Sequence, residues 1–165
     1  MLQMAKRVLV FLRIANWVVG VAIIAFLVFA GFVANERIMA AIATNPDGID
    51  PASMIAFVRL SLLFMPLAIG LSHVIFKSLL EMIDSIPSNQ VFTHLNSDRL
   101  RRIAWAVLGF CVIDHLYGFL GVHYVAALAS WSPTLTGWLA SLMLFVLASV
   151  WTQGVAMREE LEGTV

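Results

Sequence analysis

The chain is short of charge: 12% of its 165 residues are Asp, Glu, Lys or Arg, against about 25% in an ordinary soluble domain. With 61% hydrophobic residues, a water-soluble globule of this length cannot enclose its apolar surface, so the excess must face lipid or another protein. Ten basic residues cancel ten acidic ones. That balance removes any overall attraction to nucleic acid and leaves only local clusters to act. There is one cysteine, Cys111, inside an apolar run, which excludes a disulfide framework and reads as a packing residue. The sequence also lacks a nucleophile elbow, a glycine-rich phosphate loop and a zinc-protease pattern. The expectation is therefore a protein that is not an enzyme and carries no cofactor or metal.

What the chain does have is long apolar runs. A spanning helix needs about 20 mainly apolar residues, and four stretches, 8–33, 54–76, 103–124 and 135–157, meet that requirement within helices expected at 8–33, 54–86, 97–124 and 135–158. The first is too long for the apolar core of a cleavable signal peptide and reads as a retained helix. The second continues past the membrane length as a helix with one wet face, carrying Lys77, Glu81 and Asp84, and should stop before Pro87. Asn96, Ser97 and Asp98 are cap residues ahead of the third. The fold class expected is all-α, a single domain over 1–165 forming a four-helix transmembrane bundle. Gly20, Gly31, Gly70, Gly109, Gly118 and Gly121 sit where membrane helices use small residues for close approach.

Orientation follows from the basic residues, because loops rich in Lys and Arg stay in the cytoplasm. Lys6, Arg7, Lys77, Arg99, Arg101, Arg102 and Arg158 fall on one side and Arg37 alone on the other. Both termini and the middle loop are thus expected in the cytoplasm, with a short external turn near Trp131 and Trp138 at the aromatic belt.

Charged or polar side chains within spans are costly enough to be functional candidates. Here they are Arg13, Asn16, Arg59, His73, Asp114 and His115. Asp114 lies about 18 Å into the third helix at 1.5 Å per residue, near mid-bilayer. It must be protonated, hydrated or paired. Arg13, Asn16 and Gly20, spaced by three and four residues, form one stripe that could face it, and Arg59 is a second partner. Such a cluster either fixes helix packing, forms a proton, ion or ligand site, or lines a wet crevice. Axial histidines for a haem are excluded by depth, since His73 and His115 differ by about 12 Å along their helices. Adjacent Asp114 and His115 point about 100° apart, so they do not chelate one metal.

The segment from Val91 to Trp105 (Val-Phe-Thr-His-Leu-Asn-Ser-Asp-Arg-Leu-Arg-Arg-Ile-Ala-Trp) and the tail from Gln153 to Val165, together with the four spans, resemble the bacterial membrane family called domain of unknown function 2975. In that family a Pro-Phe-Thr, Asn, Arg-Leu-Arg pattern precedes the third helix. Here Val91 replaces the proline, Met157 a leucine in the tail, and Gly163 the leucine before Thr-Val. The resemblance covers nearly the whole chain and implies an inner-membrane, multi-pass location, with no established activity. Members are often encoded beside a small Cro-type helix-turn-helix regulator, which implies a cytoplasmic protein partner of that kind and no direct binding of nucleic acid by the membrane chain. Bilayer lipid and a second copy of the chain are the other candidate partners, and a small transporter, channel or lipophilic-ligand receptor is the alternative reading. The surface expected to meet a partner is Phe92, Asn96, Arg99, Arg101, Arg102, Arg158, Glu159 and Glu160. Within it, Asn96 should cap the third helix, and Arg99 and Arg101 should hold the acidic tail. Reporter fusions after residues 88 and 165 should read cytoplasmic and one after residue 45 external; an external middle loop overturns the orientation.

Overall fold

The computed structural model describes residues 2–34, 36–37, 39–40, 44, 50–87, 92–124, 132 and 134–162. Trp131 of the expected external turn, Val91 and the last residues, 163–165, lie outside the described residues. The long elements are all helical: α1 (Leu2–Val28), which continues as one widened π-turn (Phe29–Val33), α2 (Pro51–Ser85), α3 (His94–Tyr124) and α4 (Thr136–Glu162). All four are long and apolar enough to cross a membrane.

Local chemistry sets the ends. Asp50, Pro51 and Ser53 start α2: Asp50 Oδ2 accepts from the Ser53 hydroxyl at 2.6 Å and from its backbone N–H at 2.9 Å. Proline at the first helical position has no N–H to leave unmatched. Those bonds, the hydroxyl's first, hold the Asp50 carboxyl below its usual value. The helix begins three residues before the expected start because this cap was not read in the sequence. It ends at Ser85, with the Ile86 N–H turning back to the Ile83 carbonyl at 3.2 Å. α3 begins at His94 rather than at 97: the amides of Asn96 and Ser97 both donate to the Thr93 carbonyl, at 3.1 and 3.3 Å.

The chain forms two compact units. One comprises residues 1–14, 71–110 and 135–165, the other 15–70 and 111–134. In the first unit the buried residues include Ala104, Ala106 and Ala148, together with Ser78, Ser97 and Ser141. The Ser141 hydroxyl donates to the Ala104 carbonyl at 3.1 Å, a backbone approach that larger side chains would prevent. In the second unit Phe57 and Phe64 enclose Tyr117, with ring centroids 4.9 and 5.7 Å away, and the Tyr117 and Ser61 hydroxyls are 3.0 Å apart. Large apolar side chains point outward: Phe11, Phe26, Phe119 and Met143 are each about two-thirds exposed or more. Small inside and large outside is the arrangement of helices whose surroundings are as apolar as their cores.

In the second unit α1 and α2 pack closely. A Cβ added to Gly20 would lie 2.6 Å from Ile69 Cδ1 and 2.9 Å from its Cγ1, and one turn earlier the Asn16 amide donates to the Ile69 carbonyl at 3.2 Å. Gly20→Val should therefore destabilise by about 1–3 kcal/mol through overpacking. Gly70→Val, whose added Cβ meets nothing within 4 Å, should stay within about 0.5 kcal/mol, with both read by thermal unfolding in detergent.

Candidate functional site

A connected set of polar contacts lies in the first unit, where the end of α2 meets the start of α3. Glu81 and Ser85 are four residues apart and share one face of α2, while Asn96 and Arg99 are three apart on α3. Asn96 is 1% exposed. Its Nδ2 donates to Ser85 Oγ at 2.7 Å, and its Oδ1 accepts from Arg99 Nη1 at 2.8 Å. Arg99 Nε then donates to Glu81 Oε2 at 3.0 Å, and the Ser85 hydroxyl donates to the Met82 carbonyl at 2.6 Å. The result is a closed polar clasp in which a buried amide and a half-buried ion pair satisfy one another. Satisfaction matters because a buried polar group left alone costs about 1–3 kcal/mol.

A second set ties α3 to α4. The Ser97 hydroxyl is within hydrogen-bond distance of Thr152 Oγ1 and of the Ala148 carbonyl, to which Thr152 also donates at 2.9 Å. Next to this, Phe92 stacks on Trp151 with centroids 5.2 Å apart and 27° between planes. The Trp151 indole N–H is buried with no hydrogen-bond partner among the described residues.

These contacts differ from the expectation at three points. Asn96 does not cap α3; it lies within the first turn, Thr93 takes the capping role, and its amide crosses to α2. Arg99 meets Glu81, not the acidic tail, because Glu81 lies level with it on the neighbouring helix. Glu159 instead pairs with His94 at 3.5 Å, both largely exposed, a contact of small energetic value. Arg101, Arg102 and Glu160 are exposed and make no hydrogen bond or ion pair among the described residues, and Arg158 is exposed beside them. Ser85, Thr152 and Trp151 were missed in the sequence, and Glu81 and Ser97 were read only as a wet-face residue and a cap, although the spacing of Glu81 with Ser85 was legible.

Within the second unit, neither Asn16 nor Arg59 pairs with Asp114. The Asp114 side chain is 63% exposed, with Oδ2 3.9 Å from His115 Nδ1. His115 Nδ1 lies 2.8 Å from the Cys111 carbonyl of its own helix. Asn16 is engaged with Ile69. Arg59 Nε donates to the Gly31 carbonyl at 3.0 Å, and its guanidinium lies 4.9 Å from the Phe32 ring centroid. The π-turn explains that contact: the Ala34 N–H reaches back five residues to the Phe29 carbonyl at 2.8 Å, and the widened turn leaves Gly31 O for the arginine. Arg13, half-buried in the other unit, makes no hydrogen bond or ion pair among the described residues. No three His, Cys, Asp or Glu side chains group to hold a metal among the described residues.

The described elements make up an all-helical protein with four helices long and apolar enough to cross a membrane. Residues 60–165 match the family model described as protein of unknown function DUF2975, and the chain belongs to that family. The match begins within α2, so it covers the clasp, α3 and α4 but not α1. No curated protein and no solved structure matches the chain.

The clasp makes a measurable demand on stability. Asn96→Leu should destabilise by about 1–3 kcal/mol, since it removes the buried amide that Ser85 Oγ and Arg99 Nη1 both bond. A double-mutant cycle of Glu81→Gln with Arg99→Gln should give a coupling of about 1 kcal/mol or less, because the pair is only half-buried. Denaturation in mild detergent measures both.

Proposed function

We propose that this protein is a non-enzymatic, multi-pass protein of the bacterial inner membrane, with both termini and the middle loop in the cytoplasm, which holds a cytoplasmic protein of the transcriptional-regulator class at the membrane. The membrane assignment rests on four apolar helices with large side chains facing outward, and the orientation on the distribution of Lys and Arg. The non-enzymatic reading rests on the missing nucleophile and phosphate-loop motifs.

One observation favours a protein partner at this surface. After the clasp engages Asn96 and Arg99, the first turns of α3 still present Leu95, 63% exposed, with Asp98, Arg101 and Arg102. None of these three charges is paired among the described residues. An apolar anchor ringed by charges of both signs, on a helix held rigid from behind, suits a protein interface. A purely lipid-facing surface would not carry Asp98 beside the arginines, since it repels anionic headgroups.

The test is affinity purification from native membranes in mild detergent. A helix-turn-helix protein should co-purify with the parent chain in near-stoichiometric amount and be lost with Leu95→Asp combined with Arg102→Glu, while thermal stability stays within about 0.5 kcal/mol. Recovery of no such regulator, or its undiminished recovery with the variant, sinks the reading.

A further inference from the structure

A groove of about 550 Å³ runs along one face of α1, lined by Gln3, Lys6, Arg7, Val10, Phe11 and Ile14. These residues recur at intervals of three and four, which places them on one helical stripe. The stripe changes character along its length: Gln3, Lys6 and Arg7 are polar or cationic, whereas Val10, Phe11 and Ile14 are apolar. Arg7 to Ile14 spans about 10 Å of helix at 1.5 Å per residue.

The charge at the mouth is unbalanced. Lys6 Nζ pairs with Asp84 Oδ1 at 2.6 Å, which leaves Arg7, exposed and without an ion pair among the described residues, as the net positive charge. Phe11 and Ile14 are left uncovered, at 68% and 56% exposure. A soluble anion would use only the upper half of this groove. A soluble protein would not reach the lower half, which lies inside a run apolar enough for the hydrocarbon. The occupant that matches both halves has an anionic head and an acyl tail.

We propose that the α1 groove binds one anionic phospholipid, its phosphate held by Arg7 and the Lys6 ammonium and its acyl chain lying along Val10, Phe11 and Ile14. The proposal rests on the membrane reading above and is independent of the regulator. A basic residue near a membrane surface favours an anionic lipid by about five-fold, so the bound lipid should be selected by headgroup charge and retained through its tail.

The full chain, delipidated in a neutral detergent, is titrated by native mass spectrometry with phosphatidylglycerol and, separately, with phosphatidylcholine of the same chain length. Phosphatidylglycerol should bind several-fold more tightly. Arg7→Gln should reduce that preference by about five-fold, Arg7→Lys should preserve it, and Lys77→Gln, a cation on α2 outside the groove, should leave it unchanged. Glycerol 3-phosphate, the headgroup chemistry without a tail, should not compete. Equal binding of the two lipids, an equal loss in Lys77→Gln, or full competition by glycerol 3-phosphate each overturns the site. Alkaline carbonate extraction separates the two levels of failure: release of the chain from membranes sinks the membrane reading itself, whereas retention with no lipid preference sinks only the groove.

Discussion

The Asn96 amide has two N–H donors and an acceptor oxygen in a place that water does not reach, and burying them unmatched would cost more than most single contacts return. Meeting that demand requires Ser85 and Arg99 at fixed positions, and Arg99 in turn brings Glu81. A sliding or rotation of α3 by one residue would swing Asn96 about 100° away from α2. The amide therefore sets the register of the start of α3 against the end of α2 within their unit. Ser97, next in sequence and so on an adjacent face, does the same toward α4 through Thr152 and Ala148.

Weak forces then suffice elsewhere. Helices in an apolar medium gain little from burying apolar surface against each other, so they associate through close backbone approach and a few side-chain hydrogen bonds. Gly20 against Ile69, Ser141 against the Ala104 carbonyl and Arg59 on the Gly31 carbonyl are contacts of that kind. The consequence for function is a division of labour. Arg99 and Asn96 are spent on holding helices together, and the neighbouring Leu95, Asp98, Arg101 and Arg102 remain available on the outer face. The motif that carries the family resemblance thus contains both structural and exposed positions, interleaved at helical spacing.

Sequence alone determined the elements. Four apolar runs of spanning length, a deficit of charge and a proline after the second run are properties of local composition, and local composition decides which segments become helices. It also pointed to the family, through a short pattern ahead of the third helix. What only the tertiary structure decided is which polar side chains meet. Asp114 was expected to face Arg13, Asn16 or Arg59, yet Asn16 turns to Ile69, Arg59 to a π-turn and Asp114 outward; Arg99 chose Glu81 over the acidic tail. These outcomes depend on helix rotation and on the level at which each helix sits beside its neighbour. A run that is apolar on every side carries almost no periodic signal to fix either quantity, so the partners of its few polar residues become known only when the helices are packed.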